Sequence, residues 1–175
     1  MKQHLQEEEF LQAYKELSDA LFRHCYFRVF ERERARDLVQ EVFTRTWEYI
    51  ASGKRVDNLR AFLYRSANNL VIDYVRKKKT LSLDELQDAG FDPRAERAHE
   101  LEGIVDGRAM LVLLSRLEES YRQVLVMRYI DDMAPKDIAL ALGESENAVS
   151  VRIHRALKKA RELVEPAKIQ QNNEQ

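Results

Sequence analysis

The chain has 175 residues, a net charge of −1, and 45% apolar and 34% charged residues, which suits one domain or two small ones with buried cores. Five glycines and three prolines disfavour a turn-rich β architecture and fit a helical protein. One cysteine, Cys25, excludes an internal disulfide framework and suits a reducing compartment. With neither an apolar signal core after Met1 nor a run of about 18 apolar residues, a soluble, cytoplasmic chain without membrane insertion is expected.

Residues 5–50 predict two or three helices. Phe10, Leu11, Tyr14, Leu17, Leu21 and Cys25 recur at three- and four-residue steps, the spacing of one helical face. The charged stretch Glu31 to Arg36 separates them from a second stripe of Leu38, Val42, Phe43, Thr46, Trp47 and Ile50. Residues 51–58 read as a loop by composition. Leu59, Phe62, Leu63, Ser66, Leu70, Asp73 and Tyr74 belong to a third helix, with Asn68 read as a surface residue. That helix is expected to end in Arg76, Lys77, Lys78 and Lys79, cations placed at the negative end of the helix dipole.

From Thr80 to Asp106 the character changes. Eight acidic residues meet only Arg94 and Arg97, around Gly90 and Pro93, the composition of an acidic linker. Helical periodicity returns with Met110, Leu111, Leu114 and Leu117, then with Val124, Leu125, Met127 and Tyr129. The expected fold is all-α: one helical domain at 5–79, an acidic linker at 80–107, a second helical domain at 108–165 and a disordered tail at 166–175.

The sharpest local pattern runs from Pro135 to Leu157. Pro135 suits a first helical position, Gly143 a left-handed helix end and Ser145 an N-cap, whereas Ala134 is a poor N-cap. Ile138, Ala139 and Leu142 face inward, as do Val149, Ile153, Ala156 and Leu157 on the next helix. The opposite face then carries Asn147, Ser150, Val151, His154, Arg155 and Lys158, flanked by Arg152, Lys159 and Arg161. A short helix presenting polar, basic and small apolar side chains fits a major groove, with the flanking cations on phosphates.

In the first half, Asp37, Gln40, Glu41 and Thr44 share one helical face. Spacing alone favours a solvated surface there. The segment Asp37-Leu-Val-Gln-Glu-Val-Phe-Thr-Arg-Thr-Trp47, however, resembles region 2.2 of the extracytoplasmic-function (ECF) sigma factors, and residues 59–79 resemble regions 2.3 and 2.4. The helix-turn-helix resembles region 4.2. Three motifs in this order over residues 10–164 imply a sigma factor that binds core RNA polymerase and directs promoter-specific initiation.

By that resemblance Asp37, Gln40, Glu41 and Thr44 would contact the clamp helices of the polymerase β′ subunit. Lys54, Arg55, Asn58, Phe62, Arg65, Asn69, Arg76, Lys77, Lys78 and Lys79 would bind the −10 DNA. Amides at Asn58 and Asn69 would hold the edge of a flipped base, and Phe62 would wedge or stack or serve the core. Asn147, Ser150, Val151, Arg152, His154, Arg155, Lys158 and Lys159 would read the −35 element. The acidic linker would thread the positively charged channels of the polymerase or act as a plain tether. The 27 residues from Thr80 to Asp106 reach up to roughly 90 Å, beyond the ~70 Å of two duplex turns.

The implied partners are core polymerase through β′ and β, promoter DNA and an anti-sigma factor. His4, His24, His99 and His154 are scattered and no phosphate loop is present, so no catalysis, metal or cofactor is expected. Cys25 is expected in the core rather than as a redox sensor. The competing expectation is a conventional helix-turn-helix regulator that binds duplex operators without being a polymerase subunit.

Overall fold

The computed structural model describes the backbone over residues 2–85 and 105–171, and side chains over 6–79 and 109–164. Within these residues the chain forms seven α-helices and one π-helical turn: α1 (Lys2–Val29), α2 (Arg32–Ala51), α3 (Leu59–Glu85), α4 (Val105–Ser115), α5 (Glu119–Leu125), the π-turn (Val126–Ile130), α6 (Pro135–Leu142) and α7 (Glu146–Gln171).

The first half is a three-helix unit in which α1 packs on α2 and α3, and α2 on α3. Leu21, Cys25 and Val29 of α1, spaced four apart, are buried together with Ala35, Leu38, Val42, Phe43 and Ile50 of α2 and Leu63, Tyr64, Ala67 and Val71 of α3. Thr46 enters this apolar face because its hydroxyl donates to the Val42 carbonyl at 2.7 Å, which satisfies the buried oxygen locally. The α1–α2 connection turns at Phe30, whose φ of 61° is uncommon for a side chain this large. Gly53, at φ 82°, closes α2 where a left-handed residue is needed.

In the second half α7 packs on α4, α5 and α6. Val124, Met127, Ile138, Val149, Ile153 and Ala156 are buried there. The two halves are not held apart. α3 packs against α6, and α1 against α4, α5 and the π-turn, so the buried apolar residues of both halves join in one cluster.

Several expectations need correction. The third helix does not end at the basic run: α3 continues to Glu85, into the linker read at 80–107, and the stretch from there to Val105, where α4 begins, lies outside the described residues. Residues 80–85 contain neither glycine nor proline, so nothing stops the helix at the basic run. The tail expected to be disordered at 166–175 is helical to Gln171 as part of α7, and 172–175 lie outside the described residues. Ala167, Lys168, Gln170 and Gln171 are good helix formers. The apolar stripes are also wider than the faces actually packed: Leu11, Tyr14, Trp47, Met110 and Tyr129 are exposed.

Candidate nucleic-acid interface

α2 positions the acidic face. With Leu38, Val42 and Phe43 turned inward, Asp37, Gln40 and Thr44 are exposed and Glu41 is half-buried, all on the opposite side of the helix. Glu41 is paired with Arg45 one turn on. The structure therefore brings together the four residues read from spacing, with Trp47 exposed one turn beyond Thr44.

The loop between α2 and α3 and the start of α3 form the second surface. Lys54 lies 4.9 Å above the Tyr49 ring, and Tyr49 in turn packs on Phe62 at 5.0 Å with a 41° tilt. Both rings are only partly buried, so a cation and two aromatic faces line up at the surface. Tyr49 was missed in the sequence because it stands beside the apolar stripe of α2 and outside the family-like motif; its signal was an aromatic residue next to a loop rich in cations. Phe62, read as either wedge or core, is part of this surface cluster.

Asn58 acts within its own turn. Its side-chain oxygen accepts the Ala61 backbone N–H at 2.9 Å, which caps α3. Arg55 is exposed and pairs with Asp57 at 3.0 Å. Farther along α3, Arg76, Lys77, Lys78 and Lys79 are all exposed. Lys78 and the Tyr74 hydroxyl both bind the carboxylate of Glu31, which ties this basic end to the start of α2.

Arg65, Asn68 and Asn69 lie where the two halves meet. Arg65 donates to the carbonyls of Leu140 at 2.9 Å and Ala141 at 3.3 Å, a cation at the negative end of α6. Asn68, expected on the surface, is buried. Its side-chain oxygen accepts from Arg28 and from Gln123, the latter at 3.2 Å. Asn69 is exposed and lines a cleft of about 410 Å³ together with Arg65, Gln123, Gly143 and Glu144.

The helix-turn-helix has the geometry its sequence implies. Ala134 provides no side-chain cap for α6, and Pro135 occupies its first turn. Gly143 is left-handed at φ 70°, and the Glu144 N–H returns to the Ala139 carbonyl at 3.0 Å, closing the helix end. Ser145 accepts the Ala148 N–H at 3.2 Å, capping α7. Val149, Ile153 and Ala156 are buried, leaving Asn147, Ser150, Val151, His154, Arg155 and Lys158 exposed or half-buried on the other face. Lys159 is exposed and pairs with Glu162 at 3.2 Å. Arg152 differs from the rest, pairing with Glu144 across the turn at 2.5 Å.

Among the described residues no group of three or more metal-binding side chains converges, and no helix is long and apolar enough to cross a membrane. Cys25 is buried without a disulfide partner. Burial pushes its thiol up from 9.0 to about 12, with Arg28 lowering and Asp131 raising it more weakly.

A three-helix unit followed by a helix-turn-helix is the arrangement of an initiation factor of the sigma-70 class. The family described as Sigma-70 region 2 matches residues 13–80, and that described as Sigma-70, region 4 matches residues 107–159. The chain is 31% identical to the RNA polymerase sigma-E factor of Streptomyces avermitilis over 162 residues, 90% of this chain and 86% of that one. It is 29% identical to the ECF RNA polymerase sigma factor SigW of Bacillus subtilis over 147 residues, 78% of this chain and 79% of that one. It belongs to the ECF sigma factor family and is a sigma factor for transcription initiation. The region 2 match sets aside the conventional-regulator reading.

Two solved structures share the fold. The sigma factor RpoE of Bartonella quintana, in complex with the anti-sigma factor NepR, gives a TM-score of 0.71 at 20% identity, covering 90% of this chain and 98% of that one. CnrH in complex with the cytosolic domain of CnrY gives 0.67 at 22% identity, covering 91% and 90%.

Proposed function

We propose that the chain acts in the cytoplasm by joining core polymerase through the α2 face of Asp37, Gln40, Glu41 and Thr44, and by reading two promoter elements with its two halves. The single observation behind this reading is that one chain presents both an acidic, amide-bearing helix face and a separate helix whose outer face is polar and basic. The first suits a basic protein surface and the second a DNA groove.

In the first half, Lys54, Arg55 and the Tyr49–Phe62 pair form the entry to the −10 site. Aromatic faces take unstacked bases in a sequence-tolerant way, and the cation beside them holds the backbone. Asn69 supplies an amide able both to donate and to accept at a base edge. Arg65 and the basic run Arg76, Lys77, Lys78 and Lys79 bind phosphates. Asn58 acts by fixing the start of α3.

In the second half, α7 enters the −35 major groove with Asn147, Ser150, Val151, His154 and Arg155 toward base edges and Lys158 and Lys159 toward phosphates. Arg152 holds the turn. The protein acts by binding and strand separation, without catalysis of its own, and an anti-sigma factor is its expected regulator.

Run-off transcription with purified core polymerase on a pool of genomic promoter fragments tests this reading. Transcripts that appear only with the protein present, starting downstream of a shared two-part motif, are expected. Duplex binding by the free protein without any transcript would overturn it.

A further inference from the structure

Val151 is an apolar side chain set in a polar and basic surface. It is 41% exposed, and Asn147, Ser150, His154, Arg155 and Lys158 around it are exposed as well. Its position follows from the winding of α7. Val149 and Ile153, two residues to either side, are buried, and two residues turn a helix by about 200°. Val151 therefore points almost directly away from the core, along the middle of the outer face.

Side-chain length changes along that face. Asn147, Ser150 and Val151, near the start of α7, are short, whereas His154, Arg155 and Lys158 further along are long. A helix with this gradient enters a groove by its start, where the second helix of a helix-turn-helix meets base edges. That end of α7 is held in place: Ser145 caps it through the Ala148 N–H at 3.2 Å, and Arg152 pairs with Glu144 across the turn at 2.5 Å. Val151 is also preset, because branching at Cβ confines a helical valine almost to one rotamer. Its two methyl groups project in a fixed direction.

The chemistry of the groove selects what they meet. In the major groove adenine, guanine and cytosine present only donors and acceptors, whereas thymine adds a 5-methyl group. A valine pressed against one of the first three excludes water from polar groups that it cannot hydrogen-bond, which is costly. Against a thymine methyl it buries apolar surface on apolar surface. Asn147 and Arg155, one turn before and after, bear the amide and guanidinium that suit adenine and guanine edges, so polar contacts flank the apolar one.

We propose that Val151 is a specificity-determining residue that reads the 5-methyl group of one thymine in the −35 element. The proposal rests on the assignment of α7 to that element made above.

The test uses the holoenzyme and a promoter recovered by run-off transcription. Duplexes randomised over the −35 element, with the rest of the promoter fixed, are selected by binding to give the preferred sequence. Each thymine in it is then replaced singly by deoxyuridine, which removes the methyl group and leaves every hydrogen-bonding group in place. At one position this is expected to weaken binding about fourfold, the effect of one buried methyl group. Val151→Ala is expected to bind the thymine and deoxyuridine duplexes equally, and Val151→Thr, which keeps one methyl group, to retain part of the difference. Because the side chain is exposed, both variants are expected to keep the parental unfolding midpoint; if Val151→Ala does not, Val151→Thr decides.

A preferred element without any thymine whose methyl group matters overturns the proposal. So does a Val151→Ala variant that discriminates thymine from deoxyuridine as the parent does. A failure of the sigma reading appears separately, as absent run-off transcripts from the parent, and takes this proposal with it.

Discussion

Glu144 and Arg152 face each other across the turn of the helix-turn-helix at 2.5 Å, joining the residue after the left-handed glycine to the second turn of α7. Arg152 thereby braces the turn that leads into α7. Arg152→Ala and Glu144→Ala are each expected to lower stability by ~0.5–1 kcal/mol, the range of partly exposed ion pairs, with the double variant no worse than additive. Urea denaturation of the three variants checks this.

Lys158→Ala is expected to act differently. Its side chain lies on the outer face of α7, so the unfolding midpoint stays put while −35 duplex affinity falls. The slope of log affinity against log salt should shrink by about one. A salt titration with the holoenzyme measures it.

Phe62 and Tyr49 make a two-ring surface under Lys54. Phe62→Trp is expected to keep promoter opening and Phe62→Ala to slow it, with stacking worth ~1–3 kcal/mol per base. Fluorescence of 2-aminopurine placed in the −10 element reports the difference.

Replacing Arg28 with Met leaves Glu119 without its main cation. The expected loss is ~3–5 kcal/mol, as for a broken buried pair, far more than for any surface ion pair above. Removal of both partners, as Arg28→Met with Glu119→Leu, is expected to recover most of it, which a double-mutant cycle reads directly.

The Cys25 thiol is held neutral by burial. It is expected to react with an aromatic disulfide reagent only after unfolding. As pH rises above 9.0 the unfolded chain ionises this thiol while the folded one does not, so stability falls between 9.0 and about 12, with the sign set by the raised folded value. Burial also pushes the Tyr64 hydroxyl up, with Asp131 adding to the shift, and this steepens the same alkaline loss. Thermal unfolding across that range, in parent and Tyr64→Phe, separates the two.

The helices and both exposed faces were legible because each rests on local rules: spacing for the α2 face, and Pro135, Gly143 and Ser145 for the helix-turn-helix. The contact between the halves was not. His24 and Asp131 are 107 positions apart, and nothing in their neighbours marks either as buried. Asn68 looked like a surface amide because its partners, Arg28 and Gln123, come from two other helices. The cap that Asn58 gives α3 is local, to the N–H three residues on, and stood in the sequence as an amide just before Leu59. Arg152 satisfied the basic pattern of α7, and only the turn brings Glu144 opposite it. Tertiary pairing decided most of these, and no window along the chain contains it.

The π-turn at Val126–Ile130 accommodates one residue more than an α-helical turn would, and the Asp131 N–H returns to the Val126 carbonyl at 3.0 Å. That extra residue sets the azimuth at which Asp131 leaves the helix. Deleting one position would restore ordinary winding and swing the carboxylate by about 100°, away from His24. Segment length is thus a readable character in this protein: a relative whose Leu125–Asp131 equivalent is one residue shorter lacks this inward carboxylate, whatever residue it carries there.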